Sequence, residues 1–478
     1  MKFSATALAT VLVAGLTIST SAAPTKHQAL KFKSKAAAAF KVANQLPGFP
    51  FEIPDSYAGN LPISTKSSES RQLYFWFFPS EEAVGNDDVV IWLNGGPGCS
   101  SLEGLMQENG PFKLPWGTKE IVKNPYSYTK LANVLWVEQP VSVGFTKGTP
   151  DITDEEGISK EFVGFLDNFF ASFPELKGKK LWLHGESYAG KYIPYIANYI
   201  YKRSASVNSA AGLNLQGISI NDPSFTGDAF GEELPAVEFA TFHQKDLKLS
   251  SGTIANLKKK AKSYGIDDFV AKNLHYPPKG HIIAPKLGSF SPWSEVYQAA
   301  VKANSLFNVY NIFDDSKYDA LGFSAAATEA SATNFLNNQT GFKEAIHADP
   351  SITWYECTLN SPFAGDGRDH SPAPDLTILP SVIEKSNKSI IAHGLYDFVL
   401  IANGSRLGIQ NMTWGGAQGF QEAPSKRLIV DGVDKGVFHE ERKLTYIEVS
   451  DSGHMIPQDD PKTAYKQLQY LLGQVNSL

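Results

Sequence analysis

Short, uninterrupted apolar runs recur along the chain, each ending in glycine or in a polar residue. Asp88–Gly96 (DVVIWLNGG), Leu131–Pro140 (LANVLWVEQP), Lys179–Ser187 (KKLWLHGES), Gly217–Asp222 (GISIND) and Ser389–Gly394 (SIIAHG) are of this kind. Continuous apolar character, rather than alternation, suits strands buried on both faces of a mainly parallel sheet. Segments of helical period lie between them. Phe162, Phe165, Leu166, Phe169 and Phe170 fall at i, i+3, i+4, i+7 and i+8, one apolar face. Lys191–Arg203 reads as another helix, with Pro194 tolerable only near its start. Leu444–Ser450 alternates as a strand, and DPKTAYKQLQYLLGQV closes the chain as a helix.

Alternation of strand and helix predicts an α/β fold, a mostly parallel sheet flanked by helices on both faces. The stretch 224–349 breaks the pattern. It is rich in lysine, serine and alanine, helical in parts and without a clear buried strand, and it reads as a cap inserted above a pocket. The expected organisation is a leader over 1–23, a mature N-terminus or pro-segment over 24–46, a core in two parts over 47–223 and 350–478, and the cap over 224–349.

The leader has Lys2, an apolar stretch from Ala5 to Ile18 and the small residues Ser21-Ala22-Ala23. That is the build of a secretory signal peptide, too short for a membrane anchor. Pro24 disfavours cleavage directly before it. The polar stretch Thr25–Lys41 is expected to be a pro-segment or a mobile terminus. No other stretch approaches ~18 uninterrupted apolar residues, so no membrane partner is expected, and the destination is extracellular rather than vacuolar. Sequons at Asn338, Asn387, Asn403 and Asn411 fit the same route. The two cysteines, Cys99 and Cys357, read as inert thiols in a reducing compartment and as one disulfide in an oxidising one. A formal charge of −6 and a 42% hydrophobic fraction describe a folded protein with no call for nucleic acid. The dense basic run LKKKAK (Leu257–Lys262) reads as a solvated helix face.

The candidate chemistry centres on LWLHGESYAG (Leu181–Gly190). A nucleophilic serine on a strained strand-to-helix elbow needs small neighbours, and Gly185 and Ala189 flank Ser187 at the right spacing. In this fold class an acid and a histidine follow the serine in that order. His454, in the polar loop SDSGHMIPQDDP, could act as general base, and Asp397, after an apolar strand, could orient it. From spacing alone, a turn-capping aspartate and a solvated loop histidine remain open readings. The glycine-rich WLNGGPGCSS (Trp92–Ser101) could aim backbone N–H groups into a cavity as an oxyanion hole, or be a simple turn. It lacks the ending of a phosphate-binding loop.

WLNGGPGCSS, GESYAGKYIPYIA and GHMIPQDDP together resemble the three signature segments of the serine carboxypeptidase family in its secreted fungal form. Lesser segments match in the same order, among them ENGPF, NPYSY, EQPVSVGF, FNVYNI and HGLYDFVLIANG, so the resemblance spans roughly Phe49 to Leu472. It implies an α/β-hydrolase fold and release of C-terminal amino acids from peptides through an acyl-enzyme, with no metal and no cofactor. Carried over, it implies Ser187 as nucleophile, His454 as general base and then acid, and Asp397 as its partner. Gly96 and Tyr188 would supply oxyanion N–H groups. Asn94 and Glu186, supported by Trp92 and Glu108, would grip the substrate's terminal carboxylate. Met455 would line the leaving-residue pocket and Tyr188 the acyl side, and Cys99 would pair with Cys357. A proton shared between Glu186 and Glu108 would let Glu186 donate to the carboxylate, which favours acidic pH.

Three departures stand out. Glu138 and Ser142 replace the family's usual Asp and Gly in Asp-Gln-Pro-Val-Gly, Leu395 replaces an acid near Asp397, and Ile220-Asn221-Asp222 replaces a more glycine-rich turn. A family member that passes its acyl group to an alcohol or amine, and a binding protein with an inert triad, remain the competing readings. Oligomeric state is left open.

Overall fold

The computed structural model describes residues 30–315, 318–322 and 334–478. The leader expected over 1–23 lies outside the described residues. The core is one eleven-stranded sheet. In chain order its strands are β1 (Lys41–Val42), β2 (Ser56–Pro62), β3 (Gln72–Phe78), β4 (Asp88–Leu93), β5 (Asn133–Glu138) and β6 (Lys180–Glu186). They continue with β7 (Leu215–Asn221), β8 (Lys388–Gly394), β9 (Lys426–Val430), β10 (Val433–Glu441) and β11 (Leu444–Val449). The order across the sheet is β1-β2-β3-β5-β4-β6-β7-β8-β11-β10-β9. From β5 to β11 every neighbouring pair runs parallel. The two edges are antiparallel. This is the α/β-hydrolase arrangement that the apolar runs and the resemblance lead one to expect.

The continuous apolar runs are explained by burial on both faces. Val89, Ile91 and Leu93 of β4 enter one core and Val90 and Trp92 the other. On the first face lie α1 (Glu155–Ser172) and α2 (Ala189–Lys202), which bury Phe162, Phe165, Leu166, Phe169 and Phe170 and, from α2, Tyr192, Ile193 and Ile196. Asp154 caps α1 by accepting from Gly157 N at 2.8 Å, and the exposed Glu156 stands at its positive end. On the second face the closing helix, α3 (Pro461–Leu471), buries Leu468 and Leu471 against Trp92 and Ile390. Each such fully buried side chain contributes about 1.5–3 kcal/mol by leaving water.

From residue 30 on, the stretch read as a pro-segment or mobile terminus is built into the fold. Phe32 packs edge-on against Tyr57, Phe77 and Phe173, Ala37 is fully buried, and β1 pairs with β2. Within 224–349, residues 234–312 form helices around a third core, which also takes Phe398, Ile401 and Leu407 from the segment after β8. Leu336, Phe342 and Ile346 pack elsewhere, with Phe49 and Trp76 in the core under the sheet. Lys258, Lys259, Lys260 and Lys262 are exposed on a helix, as their run suggests.

Candidate active site

β6 runs between β4 and β7, and its C-terminal end breaks sharply into α2. Ser187 sits at the break with φ of 60°, a left-handed conformation that only a tightly held turn imposes on serine. Its N–H donates to Asn221 O (3.0 Å) and its carbonyl accepts from Ser224 N (2.9 Å), so the end of β7 holds the elbow. A Cβ at Gly185 would lie 2.2 Å from Leu93 O and 2.9 Å from the Ala189 Cβ. Glycine is therefore required at the first small position, while alanine fits at the second.

The next strands across the sheet, β8 and β11, deliver the acid and the base. Asp397 lies in the loop after β8 and His454 in the loop after β11. His454 Nδ1 is 2.7 Å from Asp397 Oδ2. The other carboxylate oxygen accepts from Val399 N (2.7 Å) and Leu400 N (3.1 Å), which locks the acid's orientation. Burial alone would raise the Asp397 carboxyl, but the imidazoles of His454 and His393 hold it below the usual carboxylate range. Ser187, His454 and Met455 line one cavity with Asn94, Gly95 and Gly96.

The glycine turn after β4 presses on the elbow. A Cβ on Gly95 would fall 2.3 Å from Tyr188 N, so only glycine lets the turn come this close. The backbone N–H groups of Gly96 and Tyr188 thus belong to two segments in contact beside Ser187. The Tyr188 hydroxyl itself turns away and donates to Asp369 Oδ2 at 2.6 Å. Cys99 and Cys357 form a disulfide, flanked by Ser100 N to Glu356 O (2.7 Å) and Thr358 N to Gly98 O (2.9 Å). It ties the glycine turn to a segment 258 residues away and lines the same cavity.

Behind the cavity, Asn94 organises a set of acids. Its Oδ1 accepts from Trp92 Nε1 (2.7 Å) and Gly104 N (3.2 Å), which fixes the amide the other way round toward three carboxyls. Asn94 Nδ2 meets Glu186 Oε1 at 2.9 Å, Glu108 Oε1 at 3.3 Å and Glu103 Oε2 closer still. An amide has two hydrogens, so three carboxyl oxygens cannot all be satisfied by it. All three acids are buried. Burial pushes Glu108 up to about 7, against the pull of its hydrogen bonds with Glu186 and Asn94. Burial, then the Glu108 and Glu103 charges, raise Glu186 well above an ordinary glutamate. Burial, then Glu108 and Asp319, do the same to Glu103. Protons are retained here because neighbouring buried carboxylates cannot all ionise.

Every residue named from sequence for the triad, the oxyanion hole and the carboxylate grip is thus brought to one edge of the sheet. Glu103, Asp222 and His393 were not foreseen. Asp222, at φ of 44°, accepts from Gly394 N at 2.8 Å, and its carboxyl is raised by burial and by the Asp397 charge beside it. His393 Nε2 donates to Leu400 O (2.7 Å) and its Nδ1 meets the Ser405 hydroxyl (3.0 Å), which pins the loop carrying Asp397. Buried polar residues inside strand-end runs were the available signal. Of the sequon asparagines, Asn338 and Asn387 are exposed and Asn403 is half-buried. Asn411 is a correction: it is buried and its side chain is paired both ways with the Ile282 backbone, at 2.9 and 3.1 Å, so no glycan fits there in this fold.

A parallel-centred sheet, a serine elbow and an Asp–His pair at the strand ends define an α/β hydrolase of the serine type. The sequence profile of the serine carboxypeptidase family matches residues 47–474, and the chain belongs to that family. It is 42% identical over 464 residues to a probable serine carboxypeptidase of Arthroderma benhamiae, covering 91% of this chain and 86% of that protein. It is 38% identical over 470 residues to serine-type carboxypeptidase F of Aspergillus niger, with the same coverage. Among solved structures, the fold is similar to that of the prohormone-processing carboxypeptidase Kex1 of Saccharomyces cerevisiae, with a TM-score of 0.70 and 23% identity over 92% of this chain and 97% of that one. The protein is a serine-type carboxypeptidase, a hydrolase acting on peptides.

Proposed function

We propose that Ser187 attacks the peptide bond before the C-terminal residue of peptides and proteins, with His454 taking its proton. Asp397 keeps the imidazole in the tautomer whose Nε2 faces the serine and steadies the imidazolium that forms. The oxyanion of the tetrahedral intermediate is met by the N–H groups of Gly96 and Tyr188. His454 then gives its proton to the departing amine, and the freed amino acid leaves an acyl group on Ser187. Water, deprotonated by the same imidazole, hydrolyses that ester and regenerates the enzyme.

The observation that carries the reading is the hydrogen bond of 2.9 Å between Asn94 and Glu186 in the cavity that also holds Ser187 and His454. The Asn94 amide and a protonated Glu186 donate to the substrate's terminal carboxylate, while Trp92 fixes the amide and Glu108 shares the proton. A free carboxylate is thereby read within reach of the nucleophile, which an endopeptidase or esterase does not need. The acid form of this pair is present below its raised pKa and lost as pH rises through it, so catalysis on peptides favours acidic pH. Secretion, with glycans at Asn338 and Asn387, fits the leader and the disulfide. Incubating the enzyme with a peptide and with its C-terminal amide tests the function by mass spectrometry. Stepwise loss of single residues from the free acid, with a fluorophosphonate adduct on Ser187, is expected. Internal cleavage, or an unlabelled Ser187, contradicts it.

A further inference from the structure

The loops that carry Asp397 and His454 are both bonded to a third segment, residues 309–312, which belongs to the helical cap rather than to the sheet. Val309 O accepts from Phe398 N (3.1 Å) and Ile312 N donates to Tyr396 O (3.1 Å), so the cap holds the backbone on either side of Asp397. Tyr310 O accepts from His454 N at 2.7 Å. The approach is close: a Cβ on Gly453 would fall 2.1 Å from Tyr310 O, so the residue before the histidine must be glycine. Val309 and Ile312 are buried with Phe398 in the cap's own core, and the Tyr310 ring lies 5.3 Å from the imidazole.

One side-chain pair completes the bracket. Asp459 Oδ2 accepts from Asn311 Nδ2 (2.9 Å) and from Gly453 N (2.8 Å). Asn311 Oδ1 in turn accepts from Phe313 N (3.0 Å), which fixes the end of the amide that faces the acid. A single carboxylate oxygen thus ties the cap to the residue that precedes His454, through hydrogen bonds of the stronger, charge-assisted kind. Neither Asn311 nor Asp459 lines the cavity of Ser187 and His454, so whatever they do for the reaction passes through the backbone. Loops are ordinarily the most mobile part of a fold, whereas a general base must be held within about 0.5 Å of its working position. The cap supplies that restraint from outside the sheet.

We propose that residues 309–312 of the cap position the Asp397–His454 pair, with Asn311 and Asp459 as positioning residues that act through Gly453. The proposal rests on Ser187 and His454 as the reacting groups. Asn311→Ala removes the cap's side-chain link alone, and Asp459→Ala also strips Gly453 N of its acceptor. With folding checked by circular dichroism, kcat for a peptide is expected to fall about tenfold in Asn311→Ala and further in Asp459→Ala. Fluorophosphonate labelling of Ser187 slows in step, while KM is unchanged because the grip at Asn94 and Glu186 is untouched. Asn311→Asp sets a second carboxylate against Asp459, whose other charged neighbours are Asp314 and Lys113. Its kcat relative to the wild type is expected to fall between about pH 5 and 8, as the two acids lose their shared proton and repel. Variants with the wild type's kcat and labelling rate overturn the proposal, as does a loss confined to KM. If Asp459→Ala does not fold, Asn311→Ala decides by the same reading. A wild type that is not labelled at Ser187 would instead overturn the serine mechanism on which the proposal stands.

Discussion

His454 Nδ1 and Asp397 Oδ2 lie 2.7 Å apart, although 57 residues separate them in sequence. They meet because β8 and β11 are parallel neighbours whose C-terminal loops leave the same sheet edge. With Val399 N and Leu400 N on its other oxygen, the carboxylate can accept from His454 in one geometry only. Asp397→Asn preserves the shape but presents an amide to the imidazole and favours the wrong tautomer. Steady-state kinetics should show kcat down about 10³–10⁴-fold with KM little changed. A loss below about tenfold would mean that Asp397 does not serve His454 in this way.

Glu186 offers a second test, because glutamine mimics the protonated acid at every pH. Its Oε1 accepts from Asn94 Nδ2, and its Oε2 has no hydrogen-bond partner among the described residues. In Glu186→Gln an amide replaces that free oxygen and can donate to the substrate carboxylate. KM for peptides should become nearly independent of pH between about 5 and 8, while Glu186→Ala should raise KM about 10–100-fold throughout. A Glu186→Gln enzyme whose KM keeps the wild-type pH slope would place the titrating proton elsewhere.

Buried carboxyls also shape stability. Burial pushes Glu108 and Glu138 up to about 7 and also raises Glu103, Glu155 and Glu186 well above the ordinary value of 4.5. A carboxyl raised on folding contributes stability that is present below 4.5 and lost as pH rises through its folded value. Denaturant midpoints should therefore fall from about pH 5 to pH 8. Glu155 has no hydrogen-bond partner on either oxygen among the described residues, so Glu155→Gln should flatten the fall. A midpoint that climbs across this range would contradict the assignment.

Ser142 carries a backbone cost that its family position explains. The resemblance implies glycine at this position, and Ser142 adopts φ of 94°, a region that serine rarely enters. Ser142→Gly should stabilise the fold by about 1 kcal/mol, read as a higher denaturant midpoint with unchanged slope. An equal or lower midpoint would show that the strain is relieved locally, for instance by the 2.9 Å bond from Ser142 N to Thr146 Oγ1.

What sequence made legible follows burial. Strands buried on both faces leave continuous apolar runs, so β4, β5, β6, β7 and β8 were readable, and so was the elbow that β6 feeds. Asp397 and His454 could be offered as partners from their places after strand runs, but bland readings stayed open because strand order decides which loops meet, and the family resemblance favoured the pair. Glu103 escaped notice since an acid in a helix's first turn is ordinarily a solvated partner of the dipole. Here the turn is buried by Leu102, Leu105 and Met106 and the acid faces inward. That the stretch from residue 30 is anchored by Phe32 and Phe40 was hard to see in the sequence, because lysines surround the two rings.

The central claim is that a retained proton at Glu186 and Glu108 lets this enzyme read a free C-terminal carboxylate beside Ser187. The most direct measurement is KM against pH, from about 4 to 8, for a peptide and for its C-terminal methyl ester cleaved by the same enzyme. The account predicts that KM for the peptide worsens as pH rises through about 7, where Glu108 titrates, while KM for the ester stays nearly level. Parallel profiles for the two substrates would contradict it.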